Sequence, residues 1–157
     1  MTDPILQVRD LSTVFTTRSG LARAVDKVSF ELQAGETLCI VGESGCGKSV
    51  TALSLADLVP YPGKVSGGEV LLGGVDLRRM TPAEISKVRG DRLSMIFQDP
   101  SSALNPVHTV GKQIAEVYRL HKGMDARQAE AAATSLLSAV GIPDPARRMR
   151  AYPHEMS

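Results

Sequence analysis

The sequence predicts an α/β fold, with a β-rich first part to about residue 98 and a helical part after it. Three observations carry that prediction. Two short, mostly apolar runs, Thr37–Val41 and Leu93–Phe97, have the character of strands buried on both faces. A glycine-rich turn follows the first run and opens into a helical pattern. Beyond Pro106, apolar residues recur at helical rather than alternating spacing. The 157 residues, 43% hydrophobic and 22% charged, suffice for a domain with a core and are too apolar for disorder.

Each element follows in turn. Ile5 to Phe15 reads as a strand, and Arg18-Ser19-Gly20 as the loop after it. Ala24 to Leu32, with Val25, Val28, Phe30 and Leu32, reads as a second strand. Ala34-Gly35-Glu36 turns the chain into Thr37–Val41. A helix is expected from about Gly47 to Leu58, stopped by Pro60 and Pro62. Glu69 to Leu72 is a short strand ended by Gly73-Gly74. Thr81-Pro82-Ala83-Glu84 combines an N-cap, a first-turn proline and a capping box, and Gly90 closes that helix. In the second part Val110, Ile114, Val117 and Leu120 or His121 mark one helix. Asp125 and Gln128 form a capping box for another, whose expected apolar face is Ala129, Ala133, Leu136 and Val140. Gly141 and Pro143 end it.

Composition excludes several classes of function. A formal net charge of +1 supplies no long-range field for nucleic acid or anionic lipid. Arg147, Arg148 and Arg150 lack interleaved aromatics and read as a solvated face, so no nucleic-acid partner is expected. Cys39 and Cys46 are too few for a disulfide framework and are expected as free thiols in a reducing cytosol. Met1-Thr2-Asp3-Pro4 lacks a signal peptide's basic start and apolar core, and no apolar stretch approaches the ~18 residues of a membrane span. Membrane contact, if any, is expected through a partner. His108, His121 and His154 have no metal-ligand spacing.

Gly42-Glu43-Ser44-Gly45-Cys46-Gly47-Lys48-Ser49 fits G-x-x-x-x-G-K-[ST] between an expected buried strand and an expected helix. Each part has a physical use. Glycines let successive N–H groups curl around one anion, and the helix start adds about half a positive charge. Lys48 can reach β- and γ-phosphates, and the Ser49 hydroxyl can ligate Mg²⁺. The expected ligand is a nucleoside triphosphate, ATP with Mg²⁺. Glu43 reads as a solvated loop residue rather than a catalytic carboxylate. Cys46 has two readings, a thiol activated at a helix N-terminus or a small side chain tolerated in the loop.

Gln98 ends the Leu93–Phe97 run. A parallel strand would deliver it to the crevice where α/β sheets bind ligands. An uncharged amide there can ligate Mg²⁺ or hold a water; alone, a glutamine after a strand is also an ordinary loop residue.

Gly42 to Ser49, followed by Ile96-Phe97-Gln98-Asp99-Pro100-Ser101-Ser102-Ala103-Leu104-Asn105-Pro106, resembles the ATP-binding subunits of ABC transporters, in the oligopeptide, dipeptide and nickel importer branch. Ala24–Phe30 and Tyr152-Pro153-His154-Glu155-Met156-Ser157 are similar to that branch too, so the resemblance covers nearly the whole chain. It implies a RecA-like P-loop NTPase core with an antiparallel β portion to residue 98. Residues 99–157 would then be the Q-loop and part of a helical subdomain. Gln98 would sense the γ-phosphate and Mg²⁺, making Lys48 and Gln98 the catalytic candidates and Ser49 and Gln98 the metal ligands. Nucleotide contacts would come from Gly42, Glu43, Ser44, Gly45, Cys46, Gly47, Lys48, Ser49 and Val50. Phe15 is the candidate adenine platform by position, with core packing as its other reading.

The resemblance also implies a second ATP-binding subunit, identical or paralogous, two transmembrane permease subunits and, indirectly, an extracytoplasmic solute-binding protein. The expected place is the cytoplasmic face of the membrane, as a peripheral subunit. Such ATPases need a signature motif opening a helix and an apolar strand ending Asp-Glu, and no apolar run here ends so. Val65-Ser66-Gly67-Gly68-Glu69 only superficially resembles the signature, because it leads into a strand; the resemblance implies a β-turn there. Met156-Ser157 is the expected beginning of the signature. The sequence thus reads as the N-terminal part of a transporter ATPase, expected to bind nucleotide but not to hydrolyse it alone.

Overall fold

The computed structural model describes residues 3–99 and 103–156. Pro100-Ser101-Ser102 of the run after Gln98, and Ser157 of the expected signature start, lie outside the described residues. The chain divides into two compact units, one to Ser86 and one from Lys87.

In the first unit β1 (Leu6–Thr17) and β2 (Gly20–Leu32) form an antiparallel hairpin. Thr17 pairs with Gly20, so Arg18-Ser19 is a two-residue turn. Helix α1 (Lys48–Leu55) follows the glycine-rich loop. Then come β3 (Gly63–Leu72) and the short β4 (Val75–Asp76). Gly73 and Gly74 join these two as a two-residue turn, with positive φ at both residues (56° and 80°), the conformation that favours glycine there. The sheet order is β2-β1-β3-β4, all neighbours antiparallel. Central β1 carries Leu6, Val8, Leu11 and Val14 into the core, where Val25, Val70, Leu72 and Leu77 meet them. Helix α2 (Pro82–Val88) starts as expected: the Thr81 N–H donates to Glu84 Oε2 at 2.7 Å, and the Glu84 N–H donates to Thr81 Oγ1 at 3.4 Å.

The second unit is helical. Helices α3 (Val110–Lys122) and α4 (Ala126–Ala139) pack together, and a single turn, α5 (Pro145–Arg148), follows. The Asp125–Gln128 capping box is present. Val110, Ala133, Leu137 and Met149 form the core, with Ile114, Ala115, Ile142 and Met156 packed on it.

Four expectations change. Thr37–Val41 is not a buried strand but a stretch outside any ladder, with Val41 86% exposed. Leu93–Phe97 makes only an isolated bridge, Leu93 to Arg89, and Ile96 is 95% exposed. A strand buried on both faces needs neighbours to take its N–H and C=O groups, and among the described residues none flanks either run. Val65–Glu69 lies within β3 rather than in a β-turn; Gly68, at φ +90°, absorbs the distortion where the β1 register shifts. Finally, α4 buries Ala129, Ala133 and Leu137, whereas Leu136 and Val140 are exposed, as are Val117 and Leu120 on α3.

Candidate nucleotide site

The loop from Gly42 to Gly47 and the start of α1 lie together in the first unit. Gly47 is the N-cap of α1 at φ +97°, a left-handed conformation open to glycine. It also rests on β2: a Cβ at this position would collide with the Ala24 carbonyl oxygen. Gly47 has no side chain to cap the helix, so the first-turn N–H groups are left open to an anion rather than satisfied by a hydroxyl or carboxylate. Gly45, at φ +84°, bends the loop ahead of it.

Lys48 folds back over its own loop. Its ammonium donates to the Gly42 carbonyl at 2.8 Å and the Glu43 carbonyl at 2.7 Å, and stands 3.6 Å from Cys46 Sγ. Cys46 in turn lies so close to Gly42 that a Cβ there would be 2.7 Å from the sulfur. Both Cys39 and Cys46 are free and exposed. Glu43, Ser44 and Ser49 are exposed, and Val50 is half-buried. The Val50 carbonyl accepts from Ser54 Oγ at 2.6 Å, and the Gly47 carbonyl accepts from Thr51 Oγ1 at 3.0 Å. The first turn of α1 is thereby tied at two carbonyls.

Phe15 is half-buried on β1, where it pairs with Ala22 of β2 and Gly63 of β3. Its ring covers Gly63 closely enough that a Cβ there would be 2.5 Å from Phe15 Cε1. Ala22 is two residues from Ala24, on which Gly47 rests, so β2 links Phe15 to the phosphate loop. Gln98 belongs to the second unit, exposed at a bend after Leu93–Phe97.

The donor set suits a magnesium–phosphate complex. Among the described residues no three His, Cys, Asp or Glu side chains gather, and the first turn of α1 presents the exposed Ser49 hydroxyl. Mg²⁺ binds at such a site, retaining waters and taking ligands from phosphates. Of the histidines, His154 stacks on Tyr152 at 5.8 Å between ring centroids, and His121 packs against Gly90. The main feature hidden from sequence reasoning is a buried contact between hydroxyls, Thr13 Oγ1 to Ser54 Oγ at 2.7 Å, which joins β1 to α1. A serine four residues after Val50, on the buried side of a helix, was its one sequence signal.

Comparison with known proteins agrees with this geometry. The family model described as "ABC transporter" matches residues 25–157. The chain is 49% identical over 156 residues to the dipeptide transport ATP-binding protein DppD of Bacillus subtilis (strain 168), covering 99% of this chain and 47% of that protein. It is 44% identical over 155 residues to the oligopeptide transport ATP-binding protein OppD of Haemophilus influenzae, covering 99% of this chain and 48% of that one. The chain thus spans about half the length of the curated relatives it matches. The dimeric structure of MJ0796, a bacterial ABC transporter cassette, shares the fold at a TM-score of 0.80 and 20% identity, covering 97% of this chain and 63% of that one. With a family match over most of its length, and with the glycine-rich loop, Lys48 and Ser49 set at the start of α1, the chain belongs to the ABC transporter family as part of its ATP-binding domain.

Proposed function

We propose that this chain binds Mg·ATP and, in the whole protein, couples ATP hydrolysis to import of peptides or similar small solutes. The observation that carries the reading is Lys48 at the first position of α1, its ammonium held over the loop that leads into a helix N-terminus with no side-chain cap. Gly42, Glu43, Ser44, Gly45, Cys46, Gly47, Lys48, Ser49 and Val50 cradle the phosphates. Phe15 would stack on adenine, and Ser49 and Gln98 would hold the metal. Mg²⁺, when bound, neutralises charge on the β- and γ-phosphates. Lys48 releases its two loop carbonyls and turns to the phosphate oxygens. Gln98 orients the attacking water, and the remaining catalysis is positioning and electrostatics.

The functional division is a nucleotide-binding core to residue 98 and a Q-loop with helical subdomain over 99–157. The proposed partners are a second ATP-binding subunit, two transmembrane permeases and, indirectly, an extracytoplasmic solute-binding protein, with the subunit peripheral at the cytoplasmic face of the membrane. Among the described residues no helix is long and apolar enough to cross a membrane. The names of the matched relatives support the peptide assignment.

The test is calorimetric binding of Mg·ATP to the full encoded chain and to its Lys48→Ala variant. Removing a charge-assisted contact to phosphate should weaken binding at least about tenfold. Equal affinities would overturn the reading. Residues 1–157 alone should release no more phosphate from ATP than their Lys48→Ala control, because they contain no apolar strand ending Asp-Glu.

A further inference from the structure

The Thr13–Ser54 contact has a direction. Ser54 has one hydroxyl proton, and it goes to the Val50 carbonyl, which can only accept. Ser54 Oγ therefore accepts from Thr13, and the chain of bonds runs Thr13 O–H to Ser54 O–H to Val50 C=O. Both side chains are fully buried, Thr13 at 0% and Ser54 at 1% exposure. An apolar pair would fill that space without needing polar partners; two hydroxyls there gain a fixed geometry instead.

The ends of this chain of bonds matter for the nucleotide. Thr13 is two residues before Phe15 on β1. Val50 is two residues after Lys48, in the first turn of α1. Phe15 also packs on Gly63, which Val59, just beyond the exit of α1, approaches as well. One strand and one helix thus bear the two groups that a bound nucleotide must span, a ring platform and a phosphate loop, and the hydroxyl pair joins them directly.

We propose that Thr13 and Ser54 are positioning residues that set the spacing between the Phe15 platform and the phosphate loop. The inference rests on the nucleotide reading above. Neither residue touches the ligand. Their effect is confined to ligands that engage both groups at once, because misplacement of two anchoring points penalises only a ligand that bridges them.

The experiment compares Mg·ATP with magnesium tripolyphosphate, which has the phosphates and no base, on the full encoded chain. In Thr13→Val, an isosteric change that removes the donor, Mg·ATP affinity should fall about tenfold while tripolyphosphate affinity stays within about twofold. Ser54→Ala, which favours the helix intrinsically, should reproduce that difference even if Thr13→Val folds poorly. Thr13→Ser should restore the unaltered ratio. Equal losses for both ligands, or an unchanged ratio in both variants, would overturn the inference. An unaltered chain that binds neither ligand would overturn the nucleotide reading with it, whereas one that binds both isolates the outcome to this pair.

Discussion

Lys48 and Ser49 were legible from the sequence as the start of α1 because everything that sets that place is local: glycines at fixed offsets, a cation, a hydroxyl and a helix after them. Thr13 and Ser54 were not, because they are 41 residues apart and only the folded sheet brings them together. Phe15 was placed by position, and its packing on Gly63 appears only once β1 and β3 are paired. Gly68 shows the same limit. As part of a Ser-Gly-Gly run it looked like a turn, yet it serves a strand, where φ +90° and the carbonyls of Arg9 and Asp10 leave no room for a side chain. A Cβ at Gly68 would stand 2.5 Å from both carbonyl oxygens. Gly68→Ala should therefore destabilise the first unit by at least about 2 kcal/mol, from a left-handed conformation plus a steric clash. Urea denaturation followed by circular dichroism measures it.

Helices were easier to place than their buried faces. The caps at Thr81 and Asp125 are side-chain-to-backbone events within one turn, so sequence exposes them. Which face of α4 packs depends on what lies opposite. Met149 and Val110 select Leu137, leaving Leu136 exposed. At the C-terminal end of α3, Lys122 reaches Asp91 at 2.6 Å. That hydrogen bond, and the charge behind it, hold the Asp91 carboxyl below its ordinary value. A depressed carboxyl pKa means that the bond's contribution is present above the unfolded aspartate pKa of about 3.9 and fades as pH falls through the folded value. Lys122→Ala should raise the Asp91 pKa to the ordinary aspartate range. Carboxyl-carbon NMR titration reads the shift directly, and the pair's exposure predicts that salt weakens it.

For the whole molecule, the division into a β-rich and a helical part was visible in the change from alternating to helical spacing. The two apolar runs read as strands because their composition was chosen for burial, and composition is blind to whether a neighbour is at hand. Thr37–Val41 and Leu93–Phe97 keep that composition while lying outside any ladder, so each leaves bare backbone and apolar side chains in reach of whatever can pair with it. The family was legible because its phosphate loop and the run after Gln98 are contiguous in sequence.

The phosphate loop and α1 are inserted between β2 and β3, two strands that both pair with β1. Leu32 of β2 pairs with Leu6 at one end of β1, and Gly63 of β3 pairs with Phe15 near the other. The segment of that insertion ahead of α1, residues 33–47, can open and close without breaking a rung of the sheet or the Thr13–Ser54 bond. Its amides should thus exchange with solvent through a local opening far less costly than unfolding the unit, while those of β1 wait for the global event. Deuterium uptake followed by mass spectrometry should show a rapidly labelled segment over residues 33–47 beside a slow β1. Added Mg·ATP should slow labelling over 42–50, so that occupancy of the site registers as kinetic protection of a segment the sheet itself does not hold.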